Sequence, residues 1–554
     1  MNVSEAIANA RQRLGFEATV DLTEEQSIVD VFENGINEYG DRPAFSSFGH
    51  TLTYRELDQH SRSFAAWLQS HTDLQPGDSV AVQLVNVIQY PIVLFGIMRA
   101  GMVAVNTNPL YTEREMLHQF KDSGAKGLVI LANMADKAEA ILDQTQIKTL
   151  VVTEIADMLP APKRWLINGA VKYLKKMVPA YHLPNAQKFL DVLKQGEAST
   201  FTKVACKPED VAVLQYTGGT TGVAKGAMLT HSNLVANMRQ ARCLLQHLLS
   251  TDEQVTMICP LPLYHIYAFT VHCMVGMEIG AHNVLIPNPR DLPAFVKALQ
   301  GKRFHVFVGL NTLFVALANN AAFKALDFSG LKMTLSGGMA LTEHASSEWQ
   351  KVTGCPVTEG YGLTETSPIA CANPPGHEQV GCIGLPVPNT ELKVVNDQGE
   401  EQPVGEAGEL CIRGPQVMKG YWQRPGATAE SIKDGWFYTG DIALIQEDGY
   451  AKIVDRAKDM ILVSGFNVYP NELENVLTSH PDVVECAAIG MPHDKSGEVV
   501  KMFVVRSNPE LTEQDVIDFM RSQVTSYKRP KVVEFRDELP KSNVGKILRK
   551  ELRT

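Results

Sequence analysis

Residues 214–233 read LQYTGGTTGVAKGAMLTHSN. An apolar run is followed by glycines, threonines and one lysine. Gly218, Gly219 and Gly222 permit a backbone that exposes its N–H groups. Thr217, Thr220 and Thr221 add hydroxyl donors, and Lys225 adds a positive charge. Such a set suits an anion, phosphate above all. It is not a Walker loop, which places Lys directly after the last Gly and a hydroxyl beside it for magnesium. Here Val223 and Ala224 separate Gly222 from Lys225, and Gly226 follows. That spacing disfavours a P-loop kinase or ATPase. Taken alone, the residues leave a phosphate cradle and a flexible surface turn both open.

The elements around the loop define the fold class. The runs SVAVQLV (79–85), GLVILA (127–132), TLVVTE (149–154) and AVLQYT (212–217) predict buried strands, and YPIVLFGIMRAG between the first two predicts a packed helix. Such alternation means an α/β fold with largely parallel sheets. Two later strands, HVFVGL and KMTLSGG, follow, the second ending on a Gly pair that opens the backbone to a ligand. From about residue 386, acidic residues and Gly turns predict a small β-rich subdomain. The last ~100 residues read as a separate α+β unit. In it, VVECAAIGM and VVKMFVVR are strands, and Thr512 caps the helix of LTEQDVIDFMRSQV.

The totals bound the function. The 554 residues are 45% apolar, ample for large cores, and the formal net charge of −11 argues against a general nucleic-acid binder. Nine scattered cysteines without CxxC spacing predict neither a zinc site nor a redox pair, and fit a reducing compartment. With no signal-peptide pattern and no run approaching the ~18–20 apolar residues of a membrane span, a cytoplasmic protein is expected.

The loop is not alone. YTGGTTGVAKGAMLTH resembles the phosphate loop of the adenylate-forming enzymes. Five further motifs of that superfamily follow in order: PLPLYHIYA, LSGGMALTE, EGYGLTETSP, the run 434–472 from DGWFYTGD to NVYPNE, and PKSNVGKILRKEL. The resemblance spans essentially the whole chain and is strongest to bacterial long-chain fatty acid–CoA ligases. It implies a large N-terminal domain (1–457) of two parallel-sheet α/β subdomains plus a small β-rich one, and a mobile C-terminal domain (458–554). It also implies two steps. A carboxylate attacks the α-phosphate of ATP, giving acyl-AMP and pyrophosphate; the thiol of CoA then takes the acyl group. A medium-chain or aryl-CoA ligase is the serious alternative, and a non-catalytic nucleotide- or acyl-binding protein a remote one. Members of the family are often dimers, but no interface is legible here.

The resemblance also assigns residues. The loop, with Lys225, binds the β- and γ-phosphates. Glu365 holds Mg2+, assisted by Thr221 or Thr220; hard cations favour such oxygens. Tyr361 and Gly362, with Gly337 and Gly338, border adenine, and Thr364 lies near the α-phosphate. Asp441 accepts from the ribose hydroxyls, with Arg456 as its partner. His265 stands beside the reacting carboxylate. Lys546 is the catalytic lysine, set between carboxylate and α-phosphate during adenylation; Val544 stands where the family often has Ser or Thr. Lys458 is the hinge, and Gly465 and Phe466 border the CoA channel.

Two stretches speak to the acid itself. Segments around His265, at 308–311 and at Gly337 are apolar with small residues, which suits an aliphatic chain. Residues 158–190 hold Lys163, Arg164, Lys172, Lys175, Lys176 and Lys188 and no acid. Leu166, Ala170, Tyr173 and Met177 share a helical face, with Lys172, Lys175 and Lys176 off it. That pattern fits a peripheral helix on a cytoplasmic membrane face and an ordinary packed surface helix equally.

Overall fold

The computed structural model describes residues 2–23, 27–217, 224–245, 253–464, 466–493, 496–542 and 547–553. Its strand-forming runs pair as their composition demands. Ser79–Gln83 and Gly127–Leu131 are buried at every position. Only a strand covered on both faces can be apolar throughout, and parallel sheets provide such places. Six strands, Val211–Thr217, Val103–Asn106, Ser79–Gln83, Gly127–Leu131, Thr149–Thr153 and Gln187–Lys188, lie parallel in that order. Lys225–Thr230 and Gly420–Tyr421 extend the sheet antiparallel to eight strands.

A second sheet has nine strands. Its parallel centre runs Val357–Gly362, Met333–Ser336, Val306–Gly309, Thr256–Cys259, His282–Leu285 and Pro43–Ser47. Antiparallel strands close both edges. Both sheets are thus largely parallel, as expected, with antiparallel strands only at their edges. Helices join the two: Ile28–Tyr39 packs on Tyr54–His71, on the wholly buried Gln89–Arg99, on His231–Leu245 and on Gly276–Glu278.

The β-rich subdomain is a five-stranded antiparallel sheet built from Glu391–Val395, Gly408–Arg413, Ile432–Lys433, Trp436–Ile445 and Ala451–Arg456. A fourth sheet uses only later residues, Ile461–Val463 to Val532–Phe535, with its own apolar core. Local chemistry sets its helices. Thr512 caps Glu513–Gln523 through a reciprocal box with Asp515. Pro470 opens Pro470–Leu477, where its missing N–H costs nothing.

Behind the second sheet, Trp349 is fully buried among Phe307, Phe314 and Phe323, at ring separations of 4.8, 4.8 and 5.5 Å. Its Nε1–H donates to Thr334 Oγ1 at 2.9 Å. Trp349→Ala would empty this nest and leave the Thr334 hydroxyl with only its bond to Cys355 Sγ at 3.6 Å. A loss of about 3–5 kcal/mol should appear as a lower urea midpoint with an unchanged slope.

Candidate active site

The carboxyl ends of parallel strands are where an α/β sheet leaves a crevice. Here they open on a cavity of about 2840 Å³. Leu261 follows Thr256–Cys259, Leu310 follows Val306–Gly309, and Gly337 follows Met333–Ser336; all three line it. Asn106 and Thr217 reach it from the ends of two strands of the other sheet. Two glycines let backbone come close. A Cβ on Gly362 would lie 1.8 Å from the Pro368 carbonyl oxygen, and one on Gly337 would lie 3.1 Å from the Tyr267 ring.

Two polar clusters border the cavity. In the first, the Tyr361 hydroxyl donates to Asp441 Oδ2 at 2.6 Å, and Arg456 Nε lies 3.3 Å from Asp441 Oδ1. Asp441 and Arg456 are direct cross-strand neighbours in the β-rich sheet, while Tyr361 belongs to the nine-stranded one. Burial, and then the Asp441 charge, push the Tyr361 phenol well above its ordinary value, so it stays a donor. In the second cluster, the Tyr421 hydroxyl donates to Glu365 Oε1 at 2.7 Å, and the Lys225 ammonium stands 5.0 Å above the Tyr421 ring. Burial pushes the Glu365 carboxyl up, and the bond from Tyr421 pulls it back. Among the described residues no group of three or more His, Cys, Asp and Glu could hold a metal. A single buried carboxylate on a large cavity nevertheless fits magnesium, which is commonly held by one or two carboxylates together with phosphates and water.

This arrangement has relatives. Residues 32–422 match the AMP-binding enzyme family, and residues 472–546 match the AMP-binding enzyme C-terminal domain. The chain belongs to the AMP-binding enzyme family. It is 52% identical to the long-chain-fatty-acid–CoA ligase of Escherichia coli O6:H1 over 95% of this chain and 94% of that one. It is 34% identical to 4-coumarate–CoA ligase 2 of Nicotiana tabacum over 94% of this chain and 93% of that one. ATP-bound MatB from Rhodopseudomonas palustris has the same fold, with a TM-score of 0.81 and 28% identity, covering 95% of this chain and 98% of that one.

This AMP-binding enzyme gathers most of its motif residues in one place. Thr217, Lys225, His265, Gly337, Gly338, Tyr361, Gly362, Thr364, Glu365, Asp441, Arg456 and Lys458 all line the cavity. Thr217 and Lys225 are direct partners on antiparallel strands, at the two sides of residues 218–223. His265 caps a short helix, its Nδ1 accepting the Tyr267 N–H at 3.3 Å. Gly218, Gly219, Thr220, Thr221, Gly222, Gly465 and Lys546 lie outside the described residues. Phe466 does not line this cavity; it is exposed and stacked on Tyr527 at 4.7 Å, on the edge strand of the C-terminal sheet.

Sequence reasoning gave no role to Tyr421, which touches Glu365 from 56 positions away, or to Glu359 within a quoted motif. Glu359 lines the cavity, its Oε1 accepting the Leu341 N–H at 3.1 Å. Its Oε2 is buried and has no hydrogen-bond partner among the described residues. Burial pushes this carboxyl from 4.5 up to about 8. A raised folded-state value favours the native protein below the unfolded value and is lost as pH rises through the folded one. Glu359→Gln keeps the shape and removes the titration. The melting temperature of the wild type should therefore fall relative to this variant as pH rises from about 4.5 to about 8. A constant difference across that range would show that Glu359 ionises freely.

Proposed function

We propose that this enzyme is an AMP-forming long-chain fatty acid–CoA ligase, with ATP and CoA as co-substrates. What carries the reading is the 52% identity, over nearly all of both chains, to a relative bearing that name. The cavity supports it. One flank is apolar, formed by Leu244, Leu245, Ile266, Val271 and Val275, where the helix His231–Leu245 packs on the buried helical segment after His265. Aliphatic side chains of this kind suit an alkyl tail.

In the first step a carboxylate oxygen bonds to the α-phosphorus, and the bond from that phosphorus to the β-phosphate bridge breaks, releasing pyrophosphate. In the second the CoA sulfur bonds to the acyl carbon, its proton is lost, and the carbon–oxygen bond to AMP breaks. Bringing two anions together requires cations and fixed donors. In this reading Thr217, Gly218, Gly219, Thr220, Thr221 and Gly222, with Lys225, hold the outer phosphates. Gly337, Gly338, Tyr361 and Gly362 border adenine. Asp441, oriented by Tyr361 and Arg456, takes the ribose hydroxyls. His265 and Thr364 flank the reacting carboxylate and α-phosphate. Glu365 and Thr221 would hold Mg2+, which supplies charge neutralisation on the phosphates when bound. Lys546 stabilises the adenylation transition state. Lys458 is the hinge between 1–457 and 458–554, and Gly465 and Phe466 serve the CoA channel after rotation. The reading extends to peripheral contact with a membrane through residues 158–190.

ATP- and CoA-dependent thioester formation across carboxylates of graded length tests the substrate class. Activity should rise toward long aliphatic acids; a strong preference for aromatic acids would overturn the long-chain reading. Lys546→Ala tests the division of labour. Acid-dependent ATP–pyrophosphate exchange should fall on the order of 10²–10³-fold, while thioester formation from supplied acyl-AMP stays close to wild type. Equal loss in both half-reactions would overturn the domain rotation.

A further inference from the structure

Half of the large apolar side chains exposed among the described residues lie within one short stretch: Trp165, Leu166, Tyr173, Leu174, Met177 and Tyr181. Their exposures are 67% for Trp165, 74% for Leu166, 71% for Tyr173, 82% for Leu174 and 55% for Met177. No residue of the helix Ala161–Gly169, or of the wider turn Ala170–Leu174 that continues it, is buried. One side, Ile167 to Val171, is half-buried against the domain, while the outward side is apolar and uncovered. This shifts the expected apolar face: Ala170 turns partly inward, and Trp165 and Leu174 join the exposed set.

The segment is held firmly from behind. Asn168 Nδ2 donates to Glu154 Oε2 at 3.0 Å and to Asp157 Oδ1 at 3.2 Å, and its Oδ1 accepts the Ala156 N–H at 3.0 Å. Asn133 Nδ2 donates to the Met177 carbonyl, and Glu139 accepts the His182 N–H. Val178 and Leu183 pack on the main core. The outward rings and methyls are therefore displayed by a fixed backbone. Lys172, Lys175 and Lys176 are exposed around them and have no ion-pair partner among the described residues. In a protein of net charge −11, a stretch of 33 residues with no acid is a local inversion of sign.

We infer that residues 161–181 form a docking surface for an anionic lipid bilayer, with Trp165, Leu166, Tyr173 and Leu174 entering the interface and the three lysines facing headgroup phosphates. Exposed aromatic and aliphatic side chains framed by lysine are the composition of an interfacial helix. A second copy of this chain would repel the same lysines across a two-fold contact, whereas an anionic membrane complements them. The patch is also tied to the cavity. The helix Ala135–Glu139, whose Glu139 holds His182, also carries Lys137, whose Nζ donates to the carbonyl of Tyr111 on the cavity wall at 2.9 Å. Any bearing of the docking on fatty-acid supply rests on the ligase reading; the docking itself does not.

Co-sedimentation of the full chain with phosphatidylcholine vesicles, with and without phosphatidylglycerol, tests the docking. Binding should require the anionic lipid and weaken with salt. The triple variant Lys172→Gln, Lys175→Gln, Lys176→Gln should bind roughly a hundredfold more weakly. Trp165→Ser with Leu174→Ser should abolish binding at any salt, while both variants keep the wild-type melting temperature. Three results would overturn the proposal: no vesicle binding by the wild type, binding unchanged in the lysine variant, or an apolar variant that only converts a dimer to a monomer.

Discussion

Asp441 is the point on which the site's geometry turns. Its two carboxylate oxygens are claimed from different parts of the chain. Tyr361 donates from the end of the nine-stranded sheet, and Arg456 approaches from the neighbouring strand of the β-rich sheet. A carboxylate with little exposure is costly to bury without partners for its oxygens. Here those partners also join two sheets across the cavity. Arg456 stands one residue before Ala457, whose N–H donates to the Gly440 carbonyl beside Asp441. The same short stretch therefore fixes the Asp441 carboxylate and the start of the turn into the C-terminal sheet. Orientation of that carboxylate on the cavity and the direction of the chain's exit are one constraint.

The rest of the cavity wall contrasts with that satisfied cluster. Glu359 Oε2, Tyr267 Oη and Ser336 Oγ are buried and have no partner among the described residues, and all three residues line the cavity. Tyr267 lies against Gly337, and Gly337 against the Gly360 carbonyl, so the three side chains belong to one neighbourhood. Buried polar atoms left unpaired are costly to a fold. Three of the thirteen such side-chain atoms among the described residues thus stand together on this wall, where the fold leaves polar atoms available to the cavity.

The sequence made the strands, the order of the motifs and most of the cavity legible, for a local reason. Runs such as GLVILA declare burial by composition, and Gly337 and Gly362 occur where the backbone must be approached. Contacts made at long range were not legible. Nothing in KGYW says that Tyr421 reaches Glu365, or that its ring carries Lys225. The stacking of Phe466 on Tyr527, 61 positions later, is another contact of this kind. The antiparallel edges of both large sheets escaped composition too, because an edge strand such as Gly420–Tyr421 is two residues long and carries no periodicity.

Two carboxylates near residue 458 divide the contacts of the C-terminal unit into two sets. Asp455, before that residue, accepts the Asn471 N–H at 2.8 Å, at the start of Pro470–Leu477. Asp459, after it, accepts from Arg553 at 3.0 Å and lies 3.5 Å from Arg549. Arg549 also donates to Glu474 Oε2 at 2.7 Å and to Asn471 Oδ1 at 2.8 Å. Burial opposes its charge, but the Glu474 carboxylate holds the guanidinium above its ordinary value. In the proposed rotation at Lys458 the second set would stay intact and the first would open. The segment after Lys546 is fastened within the C-terminal unit, Ile547 bridging Lys541 and the Leu548 N–H donating to the Pro540 carbonyl. The contact that would break is that of Asp455, whose carboxyl is pushed up to about 6 by burial. A group that gains water on opening lowers the cost of opening. On that proposal the weaker set of contacts is the one before residue 458, and the stronger set is the one that holds the C-terminal segment.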